Sequence, residues 1–276
     1  MVPAHIAAIT GLTKGRAAVC GGTTMPSFPP LLHPELARLI SQSSRIVAFT
    51  GAGISTECGV PDFRSPGSPW MRHKPIDYAA FMSSEAMRQE AWRRKFAMDD
   101  LYSGARPGRG HRALAALAQA GKLSAIITQN IDGLHAQASG GAEVIELHGN
   151  GTYATCLACG ERHDLREVRA AFEVHGHAPP CGCGGIVKSA TISFGQSMPA
   201  QAMRRAEVRA RDCDLMIALG STLVVRPAAQ FPVIAKQAGA ALAIVNDEAT
   251  PLDAIADLVI RADIGDVLEP LARGWR

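Results

Sequence analysis

A chain of 276 residues, 47% hydrophobic and 19% charged, has room for one substantial α/β core with an inserted subdomain. Its apolar runs, such as 215–219 and 240–245, fall far short of the roughly 20 residues of a membrane-spanning helix, so no membrane partner is expected. The formal net charge of +3 is too small to indicate nucleic acid, and the basic stretch Arg204, Arg205, Arg209 and Arg211 reads as a solvated helix face.

Residues 1–30 mix Gly, Pro, Thr and Ala without period and are expected to form a disordered tail. Lys14 and Arg16 follow the short apolar patch there, the wrong order for a secretory signal, so a cytoplasmic protein is expected. A helix is expected over 34–41, where Leu36, Leu39 and Ile40 share a face, and a strand over 45–50. Residues 62–106, rich in Met, Arg, Trp and Ser, read as a helical insertion. A second helix over 110–120 lies between Pro107 and Gly121, and strands follow at 123–128 and 143–147. Residues 151–190, rich in Cys, Gly, His and Pro, read as a small zinc-binding module. Strands at 214–219, 241–245 and 258–260 complete the set, with a helix from Pro227 to Lys236 closed by Gly239.

Apolar, β-branched runs alternating with helices predict a doubly wound parallel sheet of Rossmann-like type, formed by 31–61, 107–150 and 191–276. The two insertions make a smaller zinc-ribbon and helical domain beside it, and the cleft between the two is the expected ligand site.

The first strand runs into Gly51-Ala52-Gly53-Ile54-Ser55-Thr56. Glycines there permit positive φ and let backbone N–H groups approach a pyrophosphate, so nucleotide binding is the first inference. It is not the ordinary dinucleotide fingerprint, because position 56 is Thr and no second strand with a terminal acid follows. Asp62-Phe63-Arg64 then supplies charge, hydrogen bonds and a ring face in one loop.

Gln129, Asn130 and Asp132 stand at the end of the 123–128 strand, with donors and acceptors suited to ribose hydroxyls and an amide. His148 stands just past the 143–147 strand, at the same edge, where an imidazole is suited to general base catalysis at neutral pH. Of seven cysteines, four crowd into Cys156-x-x-Cys159 and Cys181-x-Cys183. Four thiolates suit a closed, structural zinc site, whereas a catalytic zinc needs an open position.

The blocks 51–65, 129–135 and 146–149 resemble the characteristic motifs of the sirtuin family, in the family's order, and the likeness runs from about residue 44 to 271. The resemblance implies an NAD-dependent protein lysine deacylase: the acyl oxygen of a modified lysine attacks the nicotinamide ribose, nicotinamide leaves, and O-acyl-ADP-ribose is the final product. It implies His148 as base, acting with Asn130 and Asp132, and NAD contacts at Gly51, Ala52, Gly53, Ser55, Thr56, Asp62, Phe63, Arg64 and Gln129. It adds Gly220, Ser221, Thr222 and Asn246 at later strand ends, and Ile264 at the adenine. Ile192, Ser193, Phe194 and Gly195 resemble the segment that pairs with an acyl-lysine peptide as an added strand.

Several positions depart from the family pattern. The second cysteine pair is one residue shorter than usual, with His163, His175 and His177 as alternative ligands. Gln196 replaces a common acid, and Ser221-Thr222 reverses the usual order. Ala91-Trp92-Arg93-Arg94 lacks the Tyr that accompanies Arg in sirtuins preferring acidic acyl chains. Two other readings of the pocket are a protein mono-ADP-ribosyltransferase and an NAD sensor coupled to a nucleic-acid contact.

Overall fold

The computed structural model describes residues 33–63, 65–72 and 74–273; the tail expected over 1–30 and Arg64 lie outside them. Helix α1 (Pro34–Gln42) leads into strand β1 (Ile46–Thr50), after which come two single 3₁₀ turns, Ala52–Ile54 and Thr56–Cys58. Gly59, with φ of 82°, ends the second of them. Helices α2 (Pro69–Arg72), α3 (Tyr78–Ser83) and α4 (Glu85–Leu101) follow, and α5 (Arg109–Gln119) returns the chain to β2 (Leu123–Thr128). Asp77 and Ser84 start α3 and α4 by accepting the N–H groups of Ala80 and Met87.

Next come α6 (Leu134–Ala138), β3 (Glu143–Glu146), β4 (Gly149–Cys156), β5 (Arg162–Asp164), α7 (Leu165–His175) and β6 (Val187–Thr191). The remainder alternates α8 (Ala200–Asp212), β7 (Leu215–Leu219), α9 (Gln230–Gln237), β8 (Ala241–Val245), β9 (Leu258–Ile260) and α10 (Ile264–Arg273).

Six strands form one parallel sheet in the order β3-β2-β1-β7-β8-β9. Every residue of β1 and β7 is buried, because each face of the sheet carries its own core. Ile46 and Ala48 pack with Leu36 of α1, Leu114 of α5 and Leu268 of α10. Val47 and Phe49 pack with Ala206 of α8 and Phe231 of α9. Covering both faces is what makes these strands read as continuous apolar runs. Chain order reverses between β1 and β7, and a crevice opens beyond the carboxyl ends of two strands at such a switch point.

The other three strands form an antiparallel sheet, β5-β4-β6. Its core is shared with the helical insertion: Trp92 and Phe96 of α4 bury themselves among Ala154, Cys156, Val168 and Val187. The Trp92 and Phe96 rings stack at 5.3 Å, so Trp92 serves packing while Arg93 stays outside and pairs with Glu90. On α8, Arg205 and Arg209 both bridge Glu143, and Arg211 pairs with Glu207, which accounts for three of that helix's four arginines as an exposed ionic face.

One expected helix starts late. Residues 225–229 form an isolated turn, with Ala229 N–H on the Val225 carbonyl, and α9 begins at Gln230. Pro232, not Pro227, occupies its first turn, where a missing N–H removes no helical bond. Among the described residues no helix is long and apolar enough to cross a membrane.

Candidate active site

The glycine turn after β1 packs backbone to backbone against the end of β7. Gly51 donates to the Leu219 carbonyl at 3.0 Å and Gly53 to the Gly220 carbonyl at 2.9 Å. A Cβ on Gly51 would lie 2.6 Å from the Gly220 oxygen, and one on Gly53 would lie 2.7 Å from the Gly220 Cα. Positive φ is needed at Gly220 (59°) rather than at Gly51 or Gly53. The turn therefore requires glycine for close approach of two strand ends, and the N–H groups of Gly51 and Gly53 are spent inside the protein instead of awaiting a pyrophosphate.

Beneath this corner lies a buried polar cluster. Ser55, expected among the cofactor contacts, is wholly buried and does not reach the cavity, because the 3₁₀ turn swings its side chain under the corner. Its hydroxyl donates to Asp132 Oδ2 at 2.7 Å and accepts from Asn130 Nδ2 at 3.1 Å. Asp132 Oδ1 in turn accepts the Leu134 N–H at 2.9 Å. One serine thus fixes two of the three polar side chains, Asn130 and Asp132, that the 129–132 loop offers to a ligand.

Deeper still, Thr50 donates to Thr128, and His135 Nε2 lies 2.9 Å from the Thr50 hydroxyl. Burial pushes the pKa of the His135 imidazole down to about 3, so the ring is neutral at ordinary pH, and its Nδ1 has no partner among the described residues. His111 sits beside it, ring centroids 4.6 Å apart, also held below the ordinary histidine range by burial. Neither histidine stood out in the sequence, since both lie within short helices of mixed polarity.

His148 follows β3 and lines the cavity. Its Nδ1 donates to the Gln129 carbonyl at 2.9 Å, and a carbonyl can only accept, so the neutral ring carries its proton on Nδ1 and leaves Nε2 as the basic nitrogen. Burial lowers its pKa, with the Gln129 bond opposing in part. Gln129 is held at its far end by donating Nε2 to Ser221 Oγ at 2.8 Å. The bond ties the β2 edge to the β7 edge across the switch point.

A cavity of about 750 Å³ runs along this crevice. It lies toward the upper end of ordinary ligand sites, roughly 300–1,000 Å³. Gly51, Ala52, Gly53 and Thr56 line it from the corner, and Gln129, Asn130 and Asp132 from the β2 loop. Gly220, Ser221 and Thr222 line it after β7, with Asn246 and Ile264 farther along. Asp62 and Phe63 reach it from the loop; Phe63 stacks on Trp70 at 4.4 Å, and Asp62 accepts the backbone N–H and the hydroxyl of Ser65.

Ile192, Ser193, Phe194 and Gly195 border the same cavity. Ile192 N–H donates to the His148 carbonyl at 2.8 Å, and the Phe194 carbonyl accepts from Tyr78 N–H at 2.9 Å, while the Phe194 ring is 64% exposed. Gln196, in place of an acid, turns back to accept Ser193 N–H at 3.1 Å. Trp70, Lys95, Tyr102 and Lys188 also line the cavity, although their spacing in sequence is that of ordinary packing and surface positions.

In the small sheet the four cysteine sulfurs lie within 4.8 Å of one another, with Cys156 to Cys183 at 3.5 Å and Cys159 to Cys181 at 3.7 Å. A tetrahedron of about 2.3 Å zinc–sulfur bonds has edges of about 3.8 Å, so the shortened second pair still closes the set. Backbone N–H groups of Cys159 and then Ala158 bring the Cys156 thiol down to about 6, which favours the thiolate a metal binds.

The Sir2 family description matches residues 51–227. The chain is 60% identical over 239 residues to the NAD-dependent protein deacetylase of Rhodopseudomonas palustris, covering 86% of this chain and 94% of that protein. It is 58% identical to NAD-dependent protein deacetylase 1 of Bradyrhizobium diazoefficiens, covering 86% and 93%. Among solved structures, Sir2 with a p53 peptide and NAD+ superimposes with a TM-score of 0.76 at 36% identity, covering 88% of this chain and 96% of that one. Sir2 bound to acetylated peptide gives a TM-score of 0.74 at 35% identity, with coverage of 88% and 96%. With a family match over more than half its length and relatives this similar along nearly their whole chains, the protein belongs to the Sir2 family, the sirtuins.

Proposed function

We propose that the protein is an NAD-dependent lysine deacetylase in which His148 is the general base. The observation that carries this reading is the His148–Gln129 bond, which leaves Nε2 basic at a cavity shared by the glycine corner and the 192–195 segment. The relatives named as NAD-dependent protein deacetylases support the choice of reaction, and the cavity volume and its run of strand-end donors fit a dinucleotide with an acyl-lysine side chain.

When bound, NAD supplies the ribose that receives the acyl group and releases nicotinamide. The chain's own residues do the rest. Gln129, Asn130 and Asp132 orient the ribose and the nicotinamide, the last two held rigid by Ser55. Phe63 on Trp70 covers that end and excludes water. His148 Nε2 takes the proton of a ribose hydroxyl, a transfer worth about 10²–10⁴-fold in rate. The peptide lies along 192–195 as an added strand, while a closed zinc site holds the small sheet in shape. In this reading 31–61, 107–150 and 191–276 form the NAD-binding domain, 62–106 is its helical insertion and 151–190 its zinc-binding module, and the protein works in the cytoplasm.

Nicotinamide release from NAD, assayed with and without an acetyl-lysine peptide, tests the reading. Release that depends on peptide, yields O-acetyl-ADP-ribose and is nearly lost in His148→Ala is the expected result. Labelled ADP-ribose transferred to protein without deacetylation would favour a mono-ADP-ribosyltransferase instead.

A further inference from the structure

Strand β6 leaves the small sheet and becomes the segment that borders the substrate cavity. Its pairing with β4 is irregular on the way: Ser189 faces Ala154 and Thr191 faces Gly149, with the register shifting between them. At the shift the two chains nearly touch, since a Cβ on Gly149 would lie 2.0 Å from the Ala190 oxygen.

Lys188 folds over this break. It is 4% exposed, and Nζ donates to the Thr191 carbonyl at 2.6 Å and to the Ser189 carbonyl at 3.3 Å. The same nitrogen stands 5.8 Å from the centroid of the Phe81 ring on α3. No carboxylate pairs with it among the described residues, and burial alone pushes its pKa down to about 8. Burying an ammonium without an anion is costly, and a methionine would fill the same space with no charge to desolvate. The charge therefore has a role at this bend.

That role shows in the residues beyond the bend. One residue past Thr191, Ile192 N–H is bonded to the carbonyl of His148, and two residues later Phe194 is bonded to Tyr78 at the start of α3. The ammonium bonds Thr191, the last residue of β6 and the one before Ile192, and stands over the Phe81 ring of α3.

We propose that Lys188 is a positioning residue for the acyl-lysine substrate, its ammonium locking the bend through which β6 becomes the peptide-binding segment 192–195 and fixing that segment against α3 and beside His148. The assignment rests on the deacetylase reading. It makes Lys188 specific to one of the two substrates, because the corner and loops proposed to hold NAD lie on other strands.

The test measures binding of a fluorescent acetyl-lysine peptide by polarisation, together with KM for peptide and for NAD, in Lys188→Met, Lys188→Gln and Lys188→Arg, with zinc content and melting temperature recorded for each. Lys188→Met and Lys188→Gln are expected to weaken peptide binding and raise the peptide KM about tenfold, with KM for NAD within about twofold and zinc retained. Lys188→Arg, which keeps charge and donors, is expected to recover most of the loss. If Lys188→Met does not fold, Lys188→Gln carries the same expectation. Peptide binding unchanged in the neutral variants, or peptide and NAD constants rising together, would overturn the proposal. Wild-type protein that binds no acetyl-lysine peptide would overturn the deacetylase reading itself.

Discussion

The Nδ1 atom of His148 donates to the backbone carbonyl of Gln129 at 2.9 Å, a bond that joins the residue after β3 to the end of β2. Because the acceptor is a main-chain carbonyl, no side-chain substitution at position 129 removes it, and the choice of basic nitrogen belongs to the fold itself.

The pH–rate profile should report this histidine. Burial disfavours the imidazolium, so the folded pKa lies below the ordinary value of 6.5 and the base stays neutral to lower pH. The acidic limb of kcat/KM for the peptide is therefore expected below that value, with activity already level at neutral pH. His148→Ala should lower kcat/KM by about 10²–10⁴-fold and abolish that limb. A limb above the ordinary histidine range would show that another group controls the rate.

The corner glycines should tolerate no methyl group. In Gly53→Ala the new Cβ meets the Gly220 backbone at 2.7 Å, and in Gly220→Ala it meets Ile54 N at 2.5 Å on a residue with φ of 59°. Overpacking of this kind costs about 1–3 kcal/mol. Urea titration should show that loss, and KM for NAD should rise more than KM for peptide, since the corner moves while the 192–195 segment does not.

Metal content should separate the cysteines from the nearby histidine. His163 Nε2 is buried without a partner among the described residues, yet the four sulfurs already close a tetrahedral set. His163→Ala is expected to retain one zinc per chain, and Cys183→Ser to lose it. Strong chelation should melt the small sheet and end peptide binding along with it, because that sheet has little apolar core of its own.

Acid should destabilise the protein through His135. Its folded pKa of about 3 lies below the unfolded 6.5, so the unfolded chain binds the extra proton, and stability present above pH 6.5 is lost as pH falls toward 3. One such group contributes a slope of about 1.4 kcal/mol per pH unit in that window. His135→Gln keeps a donor for Thr50 and cannot be charged, and urea titrations across the window should show a shallower slope for it than for wild type.

Much of the scaffold was legible because each parallel strand is a short apolar run between polar turns: 45–50, 123–128 and 241–245 lie where periodicity placed them. Pro227 misled, since a proline preceding a helical pattern reads the same whether it opens the helix or an isolated turn before it. At Ser55 the limit of the sequence is a different one. A serine in a glycine turn reads as a ligand contact, and only the 3₁₀ geometry turns its hydroxyl downward to Asp132 and Asn130. Lys95, Trp70 and Lys188 gave no signal, because a side chain that lines a cavity has the same local period as one that packs.

From its order of residues alone the chain determined the strands, the metal-binding thiols and the polar groups available at strand ends, all of which depend on near neighbours and local period. The tertiary structure decided which of those groups meet: that Gly51 and Gly53 serve Gly220, that His148 is basic at Nε2, and that a buried lysine bonds the Ser189 and Thr191 carbonyls at the end of β6. Each of these depends on hydrogen bonds and contacts to backbone atoms, and a main-chain carbonyl leaves no trace in the sequence.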